Sequence, residues 1–252
     1  MGIIMTDYIL DVKNLFKSFG AIKASRDLSF KIKKGDIHAV IGPNGAGKTT
    51  LVNQISGDIC PDSGSIVFDG IEISQLASYQ RAALGLARSF QITSIFENLS
   101  VVENMALAII AQGGHNYRFW RNCLKTPIVI KELPAALGRV DLIEKSDHRA
   151  GLLSHGEKRQ LEVGMALIGS PKMLVLDEPM AGLGPGGAVE LSKLIRRIKG
   201  ETTILLVEHD MEAVFALADY ITVLVYGECI ADGLPDTIRQ SLEVRSAYLG
   251  EE

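Results

Sequence analysis

The pattern of apolar and polar positions changes character several times along the chain. Tyr8 to Ile32 mixes the two kinds in near alternation, the period of short antiparallel strands, and Lys33-Lys34-Gly35-Asp36 closes that stretch with a turn. Ile37 to Ile41 is a short apolar run ending in a glycine-rich loop, and Thr49 to Ile55 then carries helical spacing up to Gly57. Strand, loop and helix follow in that order. Buried-strand character returns in Met173 to Leu176, Thr203 to Val207 and Ile221 to Val225, with helix-like segments between them. This alternation predicts a largely parallel sheet.

Between Thr93 and about Gly156 the strand signal fades. Val101 to Ala111 and Lys131 to Lys145 read as helices, and Arg118 to Lys125 is a basic and aromatic patch, so the stretch predicts an inserted helical subdomain. Asp236 to Glu252 reads as one more helix with Asp236 as its cap. The expected organisation is a single domain over 1–252: a core of 7–92 and 157–235 that includes the N-terminal β subdomain, a helical subdomain at 93–156, and a C-terminal helix at 236–252.

Composition narrows the class. A chain of 252 residues, 47% apolar and 22% charged, suits one large packed domain and excludes disorder. A net charge of -4 offers no positive field for nucleic acid, so nucleic acid is not expected as a partner. Cys60, Cys123 and Cys229 lack paired spacing for zinc or redox chemistry and read as reduced thiols. Apolar stretches such as Met105 to Ala111 are far shorter than the ~20 residues of a spanning helix, and no secretory leader is visible, so the expected site of action is cytoplasmic.

Two motifs carry chemistry. Gly42-Pro43-Asn44-Gly45-Ala46-Gly47-Lys48-Thr49 stands between predicted strand and helix and has the form of a phosphate-binding loop. Its glycines let backbone N–H groups close around phosphate oxygens, Lys48 adds a positive charge, and Thr49 is suited to ligate magnesium. Met173 to Glu178 is a buried strand that delivers two carboxylates to its carboxyl end, where ligands sit in open α/β sheets. Asp177 is expected on the magnesium side and Glu178 beside the attacking water, since phosphoryl transfer is mostly positioning and charge stabilisation around an in-line nucleophile. The fold class is therefore α/β: a P-loop nucleotide-hydrolase core with a mostly parallel sheet, an N-terminal antiparallel β subdomain and an inserted helical subdomain. A nucleotide and Mg2+ are the implied cofactors.

Beyond these motifs, nearly the whole chain resembles the ATPase subunits of ABC (ATP-binding cassette) transporters, and the family resemblance makes the nucleotide ATP. Leu153-Ser154-His155-Gly156-Glu157 is similar to the family signature, usually written LSGGQ. The resemblance implies that Ser154, His155, Gly156 and Glu157 of one subunit face the γ-phosphate held by Gly42 to Thr50 of another, in a head-to-tail dimer. It further implies that Gln91 senses magnesium and the γ-phosphate and links ATP to the membrane partner. By the same resemblance His209 is the switch histidine at the γ-phosphate, and Phe19 is the aromatic under adenine, against a plainer reading as a core residue of an edge strand. Catalysis would then fall to Glu178, His209 and Lys48. The implied partners are a second ABC ATPase subunit, identical or related, membrane permease subunits and, indirectly, a substrate-binding protein. The chain would sit peripherally on the inner face of the cell membrane.

The departures from the pattern are specific. His155 replaces a glycine, and Glu157 replaces the signature glutamine, adding negative charge near phosphate. Gly184, in Met180-Ala181-Gly182-Leu183-Gly184-Pro185, stands where the family has an aspartate that communicates across the dimer. The runs Ala87-Arg88-Ser89-Phe90-Gln91, Val207-Glu208-His209-Asp210 and Ala247-Tyr248-Leu249-Gly250, with the Gly182-Leu183-Gly184-Pro185 loop, resemble the branched-chain amino acid importer ATPases. Urea or amide importers, a lipopolysaccharide exporter and a soluble non-transport ABC ATPase are the alternatives. Arg118-Phe119-Trp120-Arg121 reads either as a permease or headgroup contact or as a solvated helix face.

Overall fold

A computed structural model describes residues 7–89, 95–112 and 123–249. Gln91 and the Arg118–Arg121 patch lie outside the described residues. In chain order the elements are β1 (Tyr8–Phe19), β2 (Ile22–Lys33), β3 (Ile37–Ile41), α1 (Lys48–Ser56), β4 (Ser63–Phe68), β5 (Ile71–Glu72), α2 (Ser78–Ala83), β6 (Leu86–Arg88) and α3 (Val101–Gln112). They continue with α4 (Pro127–Arg139), α5 (His155–Ala166), β7 (Met173–Asp177), α6 (Pro185–Ile198), β8 (Thr203–Val207), α7 (Met211–Leu217), β9 (Tyr220–Val225), β10 (Glu228–Gly233), α8 (Pro235–Gln240) and α9 (Leu242–Leu249).

The chain divides into two compact units, one formed by Met1–Arg88, Lys172–Glu178 and Lys199–Glu252, the other by Ser89–Pro171 and Pro179–Ile198. The first unit holds both sheets. An antiparallel sheet runs in the order β2-β1-β4-β5, and its alternating sequence buries Leu28, Phe30 and Ile32 while the residues between them face out. The second sheet has the order β10-β9-β3-β8-β7-β6, parallel except where β10 turns back on β9. Every residue of β3, β7 and β8 is buried, as continuous apolar runs in a parallel sheet require. Register aligns their carboxyl ends: Val207 of β8 lies opposite Val40 of β3 and opposite Asp177 of β7.

Helix α1 packs into the core with Leu51, Val52 and Ile55 and stops at Gly57, whose left-handed backbone (φ 85°) lets its N–H bond Asn53 O. The carboxyl end of α1 is closed by the fully buried Arg81 of α2, which donates to Gln54 O, Ile55 O, Ser74 O and Leu76 O. A cation there satisfies orphan carbonyls and complements the helix dipole. The buried His38 on β3 is structural: burial pushes it down to about 4, so it stays neutral, with Nε2 2.8 Å from Thr222 Oγ1 on β9.

The second unit packs α3 against α4 around Ala106, Ile109 and Val129, and α5 and α6 belong to it. Three details differ from the sequence expectation. The second predicted helix ends at Arg139, because Asp141 takes a left-handed turn (φ 56°) well short of Lys145. The C-terminal helix is two short ones broken at Ser241, and Pro235 takes the first helical position after the cap residue Leu234, leaving Asp236 inside the first turn. Helices α5 and α6, both expected in the core from residue 157 on, group with the helical residues instead of the sheet. Among the described residues no helix is long and apolar enough to cross a membrane.

Candidate functional site

The first unit gathers most of the expected groups at the carboxyl ends of β3, β7 and β8. The loop after β3 is tight because Gly47 holds φ 101°, and a Cβ on it would stand 2.3 Å from Ala24 O. Only glycine meets both conditions. Ala46 N donates to Pro43 O at 3.2 Å, and Gly227 N reaches in from the β9–β10 turn to Ala46 O at 2.9 Å. Lys48 is buried, its Nζ donating to Gly42 O and, at 3.0 Å, to Pro43 O. Gly47 caps α1 with no side-chain hydrogen bond, and the first turn of the helix contains no acid. The amino end of α1 therefore keeps its N–H groups and positive dipole end for an anion. Asn44, Gly45 and Thr49 are exposed, and Thr50 is half-buried.

Asp177 ends β7 almost fully buried, and its Oδ2 accepts from Arg88 Nη2 at 3.1 Å. Burial pushes its carboxyl above the ordinary carboxylate range, opposed by the Arg88 guanidinium, raised further by Glu178 and lowered by Lys48. Next in the chain, Glu178 adopts a left-handed backbone (φ 47°), held by its N–H on Val207 O at 2.8 Å. A bulky side chain in that region stores strain, a condition concentrated at functional positions. His209, just beyond β8, is 60% exposed at its side chain, and its Nδ1 lies 4.0 Å from Glu178 Oε1 and 3.8 Å from Glu208 Oε2. Glu208 is fully buried and accepts from the His209 and Asp210 N–H groups at 3.0 and 3.4 Å. Asp210 in turn caps α7 through the Glu212 and Ala213 N–H groups. The loop that presents His209 is thus fixed at both ends.

These donors suit a nucleotide with magnesium. No cluster of three His, Cys, Asp or Glu residues able to hold a metal occurs among the described residues. Asp177 and the Thr49 hydroxyl are hard oxygen donors beside an anion-binding helix end, the arrangement by which magnesium is held through few protein ligands plus phosphate oxygens. The cost of burying Asp177 falls when a cation is near.

Phe19 lies at the end of β1, 47% exposed with Lys17 Nζ 5.5 Å from its ring, and β1 is an inner strand of its sheet. It is therefore not a core residue of an edge strand.

Ser154, His155, Gly156 and Glu157 belong to the second unit and open α5. Ser154 Oγ accepts from Glu157 N at 3.3 Å and Glu157 Oε2 accepts from Ser154 N at 2.9 Å, a capping box. Glu157 also pairs with Lys145, so the added negative charge expected from the sequence is met within the same unit. Burial pushes the Glu157 carboxyl up, but Lys145 and the Ser154 N–H outweigh it and hold it below its ordinary value. His155 is exposed. A Cβ on Gly156 would stand 2.9 Å from Gly187 Cα, so α5 and α6 begin in backbone contact. Gly184, just before α6, has open space around it. Arg88 and Glu208 stand in runs that resemble the family but carried no role there, and Lys145 is marked by no local pattern: each acts through a partner fixed by tertiary structure.

The match to a family model described as ABC transporter spans residues 25–181. The chain is 37% identical over 257 residues to the high-affinity branched-chain amino acid transport ATP-binding protein BraF of Pseudomonas aeruginosa, with 98% of this chain and 100% of that protein covered. It is 35% identical over 256 residues to the protein of the same description, LivG, of Escherichia coli K12, with the same coverage. The solved structure of the ADP conformation of MJ1267, an ATP-binding cassette of an ABC transporter, is similar with a TM-score of 0.85 and 31% identity over 97% of this chain and 100% of that one. A nucleotide-free ATP-binding cassette from an ABC transporter is similar with a TM-score of 0.83 and 30% identity, over 96% of this chain and 98% of that one. An uncapped glycine loop before α1, a buried acid at the end of β7 and relatives matched from end to end agree: this chain belongs to the ABC transporter family, as an ATP-binding cassette.

Proposed function

We propose that the chain is the ATP-hydrolysing subunit of a branched-chain amino acid importer, one of two cassettes that pair on ATP and drive a membrane permease from the inner face of the membrane. The observation that carries this reading is the alignment of three adjacent strand ends, which sets the Gly42–Thr50 loop, Asp177 with Glu178, and His209 side by side. Full-length similarity to BraF and LivG supports the cargo class.

In this reading the backbone of Gly42 to Thr50 and the Lys48 ammonium hold the phosphates, and Phe19 offers its exposed ring to adenine. Thr49, Asp177 and Gln91 would hold magnesium, which when bound neutralises charge on the phosphate oxygens. Glu178 orients the attacking water and accepts its proton, and His209, placed by Glu208, donates to the γ-phosphate. Ser154 to Glu157 serve the γ-phosphate of the opposite cassette. Permease subunits, and through them a substrate-binding protein, complete the machine.

Glu178→Gln is expected to keep ATP bound and to lose turnover by about a hundredfold or more. Light scattering on that variant with magnesium and ATP should show a doubling of mass that ADP does not produce. Native-rate phosphate release by Glu178→Gln would remove Glu178 from its role. With the permease and binding protein in vesicles, ATP-driven uptake of labelled leucine supports the cargo, and uptake of urea alone refutes it.

A further inference from the structure

We infer that Arg88 is a positioning residue that sets the separation of Thr49 and Asp177 by clamping α1 to the end of β7. The inference rests on the nucleotide-site reading above and adds a residue to it.

Arg88 ends β6, the strand beside β7, and its side chain is 13% exposed. A guanidinium so withdrawn from water needs protein partners. It has three, on two sides: Nη2 donates to Asp177 Oδ2 at 3.1 Å, while Nη1 donates to Asn53 Oδ1 and to Asp58 Oδ2, both at 2.8 Å. Asn53 lies four residues beyond Thr49 on α1, about one helical turn, and so stands below it on the same face. Asp58 is itself tied to the end of α1, its N–H donating to Asn53 O at 2.9 Å.

One end of a rigid planar fork therefore grips the helix that carries Thr49, and the other grips the strand that carries Asp177. The two grips cannot move independently, because guanidinium geometry fixes the distance between them. A lysine ammonium supplies the charge without that constraint. The charge balance also suits the role. One cation serves two carboxylates, so the cluster keeps a net negative charge for a divalent ion. Arg88 Nε is buried without a hydrogen-bond partner among the described residues, so the two forked nitrogens alone orient the group.

The test is equilibrium binding of a fluorescent ATP analogue to the full chain carrying Glu178→Gln, titrated with magnesium and, separately, in EDTA. Added to that parent, Arg88→Lys is expected to raise the half-saturating magnesium concentration about tenfold or more, the cost typical of losing a residue that orients a metal ligand. Affinity in EDTA should change by less than about twofold. Asn53→Ala removes the direct tie to α1, leaving Asp58 beyond the helix end, and should move the magnesium requirement in the same direction by a smaller factor. The double variant should do no worse than Arg88→Lys alone, because both changes break one clamp. An unchanged magnesium requirement in Arg88→Lys, or strictly additive effects, would overturn the clamp. If Arg88→Lys fails to fold by circular dichroism, Asn53→Ala decides: a raised requirement supports the clamp and an unchanged one ends it. A parent that binds no ATP at all refutes the nucleotide site itself, a result distinct from either.

Discussion

The two helix starts that matter most, α1 in the first unit and α5 in the second, are built in opposite ways. α1 begins after Gly47 with no side-chain cap and no acid in its first turn, so its N–H groups remain for a ligand. α5 is closed by its own sequence: Ser154 and Glu157 satisfy each other's backbone, and Lys145 balances the Glu157 charge. The first is left open by its own sequence, as the proposed phosphate site requires. The second is a preformed edge that holds its shape alone, with the Ser154 hydroxyl hydrogen still available to donate. If, as proposed, this end meets the nucleotide of a second cassette only on pairing, a preformed turn avoids the cost of ordering a frayed one at each encounter.

The largest effect is expected at the open end. Gly47→Ala forces an L residue into φ 101° and drives its Cβ to 2.3 Å from Ala24 O, a backbone atom that cannot step aside cheaply. Together these should cost about 2 to 4 kcal/mol. Denaturant unfolding measures the loss, and ATP binding should weaken about tenfold or more as the loop opens. Native stability in Gly47→Ala would show that the loop tolerates a second backbone path.

Much of this was readable from the chain because it depends on backbone and burial. The phosphate loop announces itself through glycine spacing between an apolar run and a helix. Asp177 and Glu178 stand out as charges closing a buried strand. The β3, β7 and β8 runs have the short, continuous apolar character of inner strands of a parallel sheet. What stayed hidden is what tertiary folding pairs across long separations: Arg88 meets Asp177 and Asn53, and Lys145 meets Glu157, through contacts that no period encodes. Ends of elements were the other weak point. Asp236 has the chemistry of a cap, but Pro235 before it has a fixed φ suited to a first helical position and moves the cap two residues back, to Leu234.

A smaller effect is expected at the closed end. Ser154→Ala removes the acceptor for Glu157 N and should cost about 1 kcal/mol, seen as faster amide exchange in the first turn of α5. Ser154→Gly should cost only about a few tenths, because glycine is tolerated as a cap residue. Equal losses in the two variants would mean that the capping box does not hold the turn.

The smallest effect in energy tests whether the end is balanced in charge as well as capped. Lys145 is 43% exposed and Glu157 24%, so solvent screens their pair and Lys145→Met should cost at most about 0.5 kcal/mol at neutral pH. The sign with pH is fixed by the direction of the shift. Glu157 is held below its ordinary 4.5, so its contribution is complete above that value and is lost as pH falls through the lower folded one. Without Lys145 the opposing influence of burial gains weight, and the Glu157 midpoint, followed by carboxyl NMR, should move upward. An unmoved midpoint would leave Ser154, through its N–H and its side chain, as the support of that carboxylate. Glu157 would then bring uncompensated negative charge to the face that meets phosphate, and Glu157→Gln should strengthen ATP-driven pairing; with Lys145 in place, the same substitution should change pairing little.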